Sequence, residues 1–198
     1  RHSVALNYNT DKLKSRLSMS YDDNDGVLLG SFNKQLKLRY VGEYNLNKWL
    51  KITEDLTWSN RTARGVNTSG RTDGAVLSAV WMPSSAEAYK ADGSFGGTFT
   101  EDPEYVSKYG SHAGIFGDVI SPLRTLLGSQ DINEQNNFWS TTGLEIHDIV
   151  KGLKFNSRYT FNRYQTFYKS FSTRRLEIGK PNNSNSLTYS TQKDYNWK

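Results

Sequence analysis

A period of two in the hydropathy pattern constrains this chain more than any other feature. From Lys12 to Tyr21, Leu13, Ser15, Leu17, Met19 and Tyr21 share one side of an extended backbone, and Lys12, Lys14, Arg16, Ser18 and Ser20 share the other. From Gln35 to Leu46 the alternation sets Leu36, Leu38, Tyr40, Gly42, Tyr44 and Leu46 against Lys37, Arg39, Val41, Glu43 and Asn45. From Leu50 to Ser59 the apolar side is Leu50, Ile52, Leu56 and Trp58, interrupted by Glu54. From Leu153 to Phe161 it is Leu153, Phe155, Ser157, Tyr159 and Phe161, opposite Lys154, Asn156, Arg158 and Thr160. Weaker strands read from Ser3 to Thr10, from Phe138 to Ile146 and from near Tyr189 onward. A helix fails these segments, because it points Leu36 and Leu38 to different sides.

The connections carry the next constraint. Asn9 to Lys12, Asn47 to Trp49 and His147 to Gly152 are short. Asp22 to Lys34, Gly65 to Gln135 and Lys169 to Thr188 are long. Short and long alternate without exception, which places all tight turns of an up-and-down antiparallel meander at one rim. Outer-membrane barrels arrange short periplasmic turns and long outer loops in this way. Trp49, Trp58 and Trp139 read as lying near strand ends, where interfacial aromatic belts form. About seven strands leave two open edges, which lipid does not tolerate, so partner strands are expected from a longer polypeptide. The fold class expected is all-β: part of one antiparallel transmembrane barrel over residues 1–198, with residues 65–135 as a long extracellular insertion.

Composition agrees with a wall that is wet on one side. Hydrophobic residues make up 35% of the chain and aromatic residues 13%. That is lean for a soluble core and too aromatic for disorder. With no cysteine there is no disulfide framework, thiolate zinc site or cysteine nucleophile. No apolar run reaches the roughly 18 residues of a spanning helix. The net charge of +5 comes from scattered residues, so no nucleic-acid footprint forms.

Several spaced segments together resemble the pattern of one family. His2-Ser3-Val4-Ala5-Leu6, Thr10-Asp11-Lys12 and Arg16-Leu17-Ser18-Met19-Ser20-Tyr21 form a strand, turn and strand. Asp25-Gly26-Val27, Ser31 and Leu38-Arg39 follow, then Lys48-Trp49-Leu50-Lys51-Ile52. Trp81-Met82-Pro83 precedes Tyr89-Lys90-Ala91-Asp92-Gly93-Ser94-Phe95, and Gly143-Leu144-Glu145-Ile146 precedes Lys151-Gly152-Leu153-Lys154-Phe155. In these segments the chain resembles the early barrel of SusC/RagA-type TonB-dependent transporters of Bacteroidetes, over about the first 160 residues. The resemblance implies a bacterial outer-membrane barrel of about 22 strands with a plug inside. It implies a SusD-like surface lipoprotein over the mouth, TonB as the energy source, and import of glycan or peptide oligomers. It implies no cofactor and no reaction chemistry. The plug, the N-terminal domain and the remaining strands are expected outside this sequence. Glu54 departs from the apolar lipid face such a strand should present.

Candidate sites follow from this frame. A long connection without periodicity is commonly functional. Residues 65–135 carry Trp81, Tyr89, Phe95, Phe99, Tyr105, Tyr109 and Phe116, rings on which sugars stack or peptides pack. The same rings could instead hold the loop together or meet the lid. Lys14, Arg16, Lys37, Arg39, Lys51 and Arg158 fall on the wet side, toward lumen and plug. Leu13, Leu17, Leu36, Leu38, Tyr40, Tyr44, Leu153, Phe155, Tyr159 and Phe161 fall on the lipid side. Asp22-Asp23-Asn24-Asp25-Gly26 lacks the frame of a calcium loop and reads as an acidic turn, and Glu101, Asp102 and Glu104 form a second acidic group. His2, His112 and His147 have no metal-ligand spacing. No nucleophile elbow, phosphate loop or framed carboxylate pair appears, so neither an enzyme nor a metal site is expected. The competing reading is a soluble or surface β-sandwich adhesin that binds glycans. It requires Leu36, Leu38, Tyr40 and Tyr44 to bury against a second sheet.

Overall fold

The computed structural model describes residues 1–69, 74–84, 86–89, 91, 93, 95–96, 121–147, 149–172 and 186–198. Seven strands are present: β1 (His2–Asn9), β2 (Leu13–Asp25), β3 (Phe32–Asn47), β4 (Leu50–Arg64), β5 (Ser129–His147), β6 (Lys154–Ser172) and β7 (Ser186–Trp197). They form one antiparallel sheet in sequence order, each strand paired with the next. Two short helices, α1 (Ala75–Trp81) and α2 (Pro122–Leu127), lie against each other between β4 and β5. No helix among the described residues is long and apolar enough to cross a membrane.

The tight turns have local causes. Between β1 and β2, Leu13 N donates to Thr10 Oγ1 at 3.0 Å and Thr10 N donates to Leu13 O at 2.7 Å. Between β3 and β4, Trp49 N donates to Asn47 Oδ1 at 3.1 Å, beside a register shift at Asn45 and Asn47. Between β5 and β6, Leu153 N donates to Val150 O at 2.9 Å, and Gly152 sits at φ 82°. A residue with a Cβ resists that left-handed geometry. Leu153 therefore belongs to the turn and not to β6, a correction to its reading as a strand residue.

The strands outrun their sequence boundaries, almost always at the rim of the long connections. β2 and β3 continue to Asp25 and from Phe32, so residues 26–31 suffice to join them. β4 continues to Arg64 and β5 starts at Ser129, which shortens the insertion to residues 65–128. β6 runs to Ser172. These extensions interleave polar residues with scattered apolar ones such as Phe32, Ile132 and Phe171, so no regular hydropathy period marks them. Cross-strand polar pairs hold them instead. Trp58 and Trp139 consequently stand mid-strand rather than near strand ends, and only Trp49 lies at a rim.

The sheet has no second layer among the described residues. The only buried hydrophobic side chains there are Ala75 and Phe95, both in the insertion. Leu6 is 67% exposed and Leu17 49% exposed.

Candidate functional site

Register carries the alternation from strand to strand, because directly paired residues point to the same side of a sheet. One row on the first face is Leu6, Leu17, Tyr40, Leu56, Ser140, Phe161 and Trp197. The next row toward the long-connection rim is Val4, Met19, Leu38, Trp58, Phe138, Arg163 and Tyr195. Toward the short-turn rim the same face carries Leu13, Tyr44, Ile52 and Leu144, then Ile146 and Phe155. Of the sequence-assigned lipid-side residues, all but Leu153 share this face; Leu36 extends it one row above Leu38, and Tyr159 lies within it, paired with Thr142.

Gly42 leaves a gap in the face that its neighbour closes. The Tyr40 ring folds over it, so that a Cβ at Gly42 would meet Tyr40 Oη at 2.6 Å. Glu54 lies beside Gly42 on this apolar face. Its carboxylate accepts from Ser140 Oγ at 3.0 Å and Thr142 Oγ1 at 2.6 Å on β5. Those two hydroxyls are the answer to the departure noted in the sequence. A carboxylate on an apolar surface needs such donors to offset lost hydration. Their role was not readable in advance, since Ser140 and Thr142 are more than eighty positions away in the chain.

The opposite face gathers the charges. Lys14, Glu43, Thr53, Gly143 and Arg158 form one row, and Arg16, Val41 and Asp55 lie in the next. Lys37, Arg39 and Lys51 share that side. Arg39 forks onto Asp55, with Nε at 3.1 Å from Oδ1 and Nη2 at 2.7 Å from Oδ2. Lys51 Nζ stands 3.0 Å from Glu43 Oε2. Two of the six basic residues are thus paired within the sheet, whereas Lys14, Arg16, Lys37 and Arg158 form no ion pair among the described residues. Lys51, Thr53, Glu145, Asn156 and Arg158 line a concavity of about 540 Å³ on this face.

Above the apolar rows both faces become hydrogen-bonding. Asn60 Nδ2 donates to Asn136 Oδ1 at 2.7 Å, and Arg61 reaches Asn33 and Gln135. Tyr168 and Ser170 both donate to Asp131. Lys34 pairs with Asp23 at 3.1 Å and Lys169 with Glu134 at 2.9 Å. These contacts raise both lysines above the ordinary ammonium value, first through the hydrogen bond and then through the charge. Asp22 takes Arg1 at 3.4 Å, so the acidic segment ends β2 as an ion-paired strand end and not as a turn.

The insertion sits at the same rim. Arg64, at the end of β4, donates to Gly30 O at 2.7 Å and to Leu126 O of α2 at 2.6 Å. It ties the β2–β3 connection to the insertion. Phe95 is buried and bridges to Tyr89, with ring centroids 5.8 Å apart, so Phe95 holds the loop together. Trp81 and Tyr89 keep about half of their surfaces exposed, at 54% and 46%. Phe99, Tyr105, Tyr109, Phe116, His112 and the Glu101, Asp102 and Glu104 group lie outside the described residues. His2 begins β1 and His147 ends β5, at opposite rims. No family model matches the sequence, and no curated protein matches it.

Proposed function

We propose that the seven strands are adjacent staves of a larger outer-membrane β-barrel, with the apolar face toward lipid, the charged face toward lumen and plug, and the long connections outside the cell. We further propose that the barrel is a SusC-like importer. In that role it takes up glycan or peptide oligomers under a SusD-like lipoprotein, with energy from TonB. One observation carries the membrane reading: a predominantly apolar face, broken by Glu54 with Ser140 and Thr142, runs across a single-layered sheet with nothing over it among the described residues. Water-exposed proteins rarely leave contiguous apolar patches beyond a few hundred Å² uncovered. Leu50 to Trp58 spans eight residue steps of β4, roughly 27 Å of strand. At the tilt of barrel strands this is roughly 20 Å of height, close to the apolar band of outer-membrane barrels. The importer reading is supported by the resemblance of the spaced segments to the SusC/RagA type, and by exposed Trp81 and Tyr89 at the long-connection rim.

The test uses the full-length protein in its native membrane, with single cysteines at Leu38 and Phe155 on one face and at Arg39 and Arg158 on the other. A membrane-impermeant thiol reagent should label the second pair and spare the first, while a lipid-soluble reagent should do the reverse. Equal labelling of all four by the impermeant reagent would sink the barrel reading. Deleting residues 74–96 should abolish oligomer uptake and leave the labelling pattern intact. Uptake that survives the deletion counts against the insertion as the capture element.

A further inference from the structure

The face opposite the apolar rows is not charged throughout. Within the strands its cations stand on β2, β3 and β4, and on β6 only near the short-turn rim, at Lys154 and Arg158. From the row of Trp139 upward, β5, β6 and β7 place no Lys or Arg on this face. They place amides, hydroxyls and three rings there: Trp139, Tyr164 and Tyr168. The two carboxylates of this stretch are Asp131, which takes Tyr168 and Ser170, and Asp194, which accepts from Gln192 Nε2 at 2.9 Å.

Register builds a block from this stretch. Trp139 on β5 stands beside Asn162 on β6, and one row of this face higher Asn137 stands beside Tyr164. Rings and amides thus occupy opposite diagonals. Trp139 Nε1 donates to Thr141 Oγ1 at 2.9 Å, while the side chain stays 43% exposed. The one polar atom of the indole is therefore satisfied by the protein, and carbon is what the ring offers outward. The amides are the reverse. Asn137 and Asn162 make no side-chain hydrogen bond among the described residues, and the Oδ1 of each is buried without a donor. Asn133 Oδ1, higher on β5, is a third such acceptor. Native folds satisfy nearly all such groups, and leaving them unmet is costly.

We infer that this block binds an uncharged oligosaccharide, with sugar rings against Trp139 and Tyr164 and sugar hydroxyls on the amides of Asn137 and Asn162. The inference rests on the importer reading above and chooses between its two cargo classes. A sugar ring has an apolar C–H face and a polar edge, which an exposed ring beside an amide matches. A hydroxyl donates and accepts at once, and an amide has both an acceptor and donors to meet it. A half-turn about χ2 exchanges Oδ1 and Nδ2, so either end of the amide can face the ligand. An acidic ligand finds no cation on this stretch to offset its desolvation. An extended peptide is recognised through sheet edges or apolar pockets, and the block presents neither. Tyr168 and Tyr164, half-buried on the same strand, lead from the long-connection rim down to Trp139.

The experiment applies the full-length protein, labelled and in detergent, to an array of neutral, acidic and sulfated oligosaccharides and to a matching array of oligopeptides. Binding should be confined to neutral oligosaccharides. Trp139→Ala and the Asn137→Ala/Asn162→Ala double variant should each weaken it about tenfold. Trp139→Phe should keep most of the binding, and heat-modifiable gel migration of each variant reports that the barrel is intact. Binding of peptides or acidic glycans in place of neutral ones overturns the inference, and so does an array on which nothing binds. Neutral binding that both variants leave unchanged overturns it too, since the sugar then sits elsewhere. Failure of the membrane reading looks different: the cysteines at Leu38 and Arg39 then label alike in the native membrane, whatever the array binds.

Discussion

The sheet has two zones that share a backbone and little else. Between the short turns and the Trp58 row, one face is apolar and the other charged. Above it, from Asn60 and Asn136 to the long connections, the first face mixes polar residues with rings such as Phe167 and Phe171, and side-chain hydrogen bonds bridge the strands on both faces. The ladder of paired strands runs through both without a break. Pairing therefore does not need the alternation. In the lower zone, the environment on each side selects the side chains. In the upper zone that regular alternation is lost, and local side-chain pairs such as Asn60 with Asn136 join the strands.

The largest way to break this contrast is a charge in each zone. Leu56→Arg places a cation in the middle of the apolar rows, and Asn60→Arg places one just above them. In refolding titrations of the full-length protein into lipid vesicles, Leu56→Arg should cost about 2–4 kcal/mol and Asn60→Arg about 0–1 kcal/mol. Equal costs would erase the distinction between the zones. The two glycine turns sharpen it next. Gly152, at φ 82°, has open space where a Cβ would go, so Gly152→Ala should cost only the left-handed strain, about 1–2 kcal/mol. Gly30, at φ 79°, would place its Cβ 2.0 Å from Arg64 Nη1, so Gly30→Ala should cost more. It should also speed hydrogen exchange in residues 122–128 while leaving residues 50–58 unchanged. If both alanine variants behave alike, Arg64 is not the tie between the upper zone and the insertion.

The smallest effect is alkaline. The folded values of Lys34 and Lys169 are raised, so their contribution is complete below the ordinary value of 10.5 and fades as pH climbs through the folded value. Exchange at the upper ends of β3 and β6 should rise only in that strongly alkaline window, with nothing lost between pH 6 and 9. A loosening near neutral pH would assign the upper zone to other groups.

The legible part of this protein was its lower zone. Leu36, Leu38, Tyr40 and Tyr44 against Lys37, Arg39 and Glu43 announced a strand and its two faces, since successive side chains of a strand point to opposite sides. The short connections at Asn9 to Lys12, Asn47 to Trp49 and His147 to Gly152, alternating with long ones, located the short rim. The upper extensions were not legible. Asn, Gln, Asp and Ser at both parities leave no period to read, and β5 began nine residues before its reading at Phe138. The candidate site divided the same way. The basic residues of the charged face were found by parity, while the choice of Asp55 for Arg39, and of Glu43 for Lys51, needed the register.

By itself the sequence determined the number of strands, their order as a meander and the polarity of each face in the lower zone. These follow from local periodicity and connection length, which involve neighbours in the chain. Only the tertiary structure decided that Ser140 and Thr142 meet Glu54, that Arg64 joins Gly30 to α2, and that Arg163 sets its guanidinium over Tyr195 at the boundary of the apolar rows. Each of these joins residues on different elements, and the lateral register of hydrogen-bonded strands, which no single strand encodes, sets their distances.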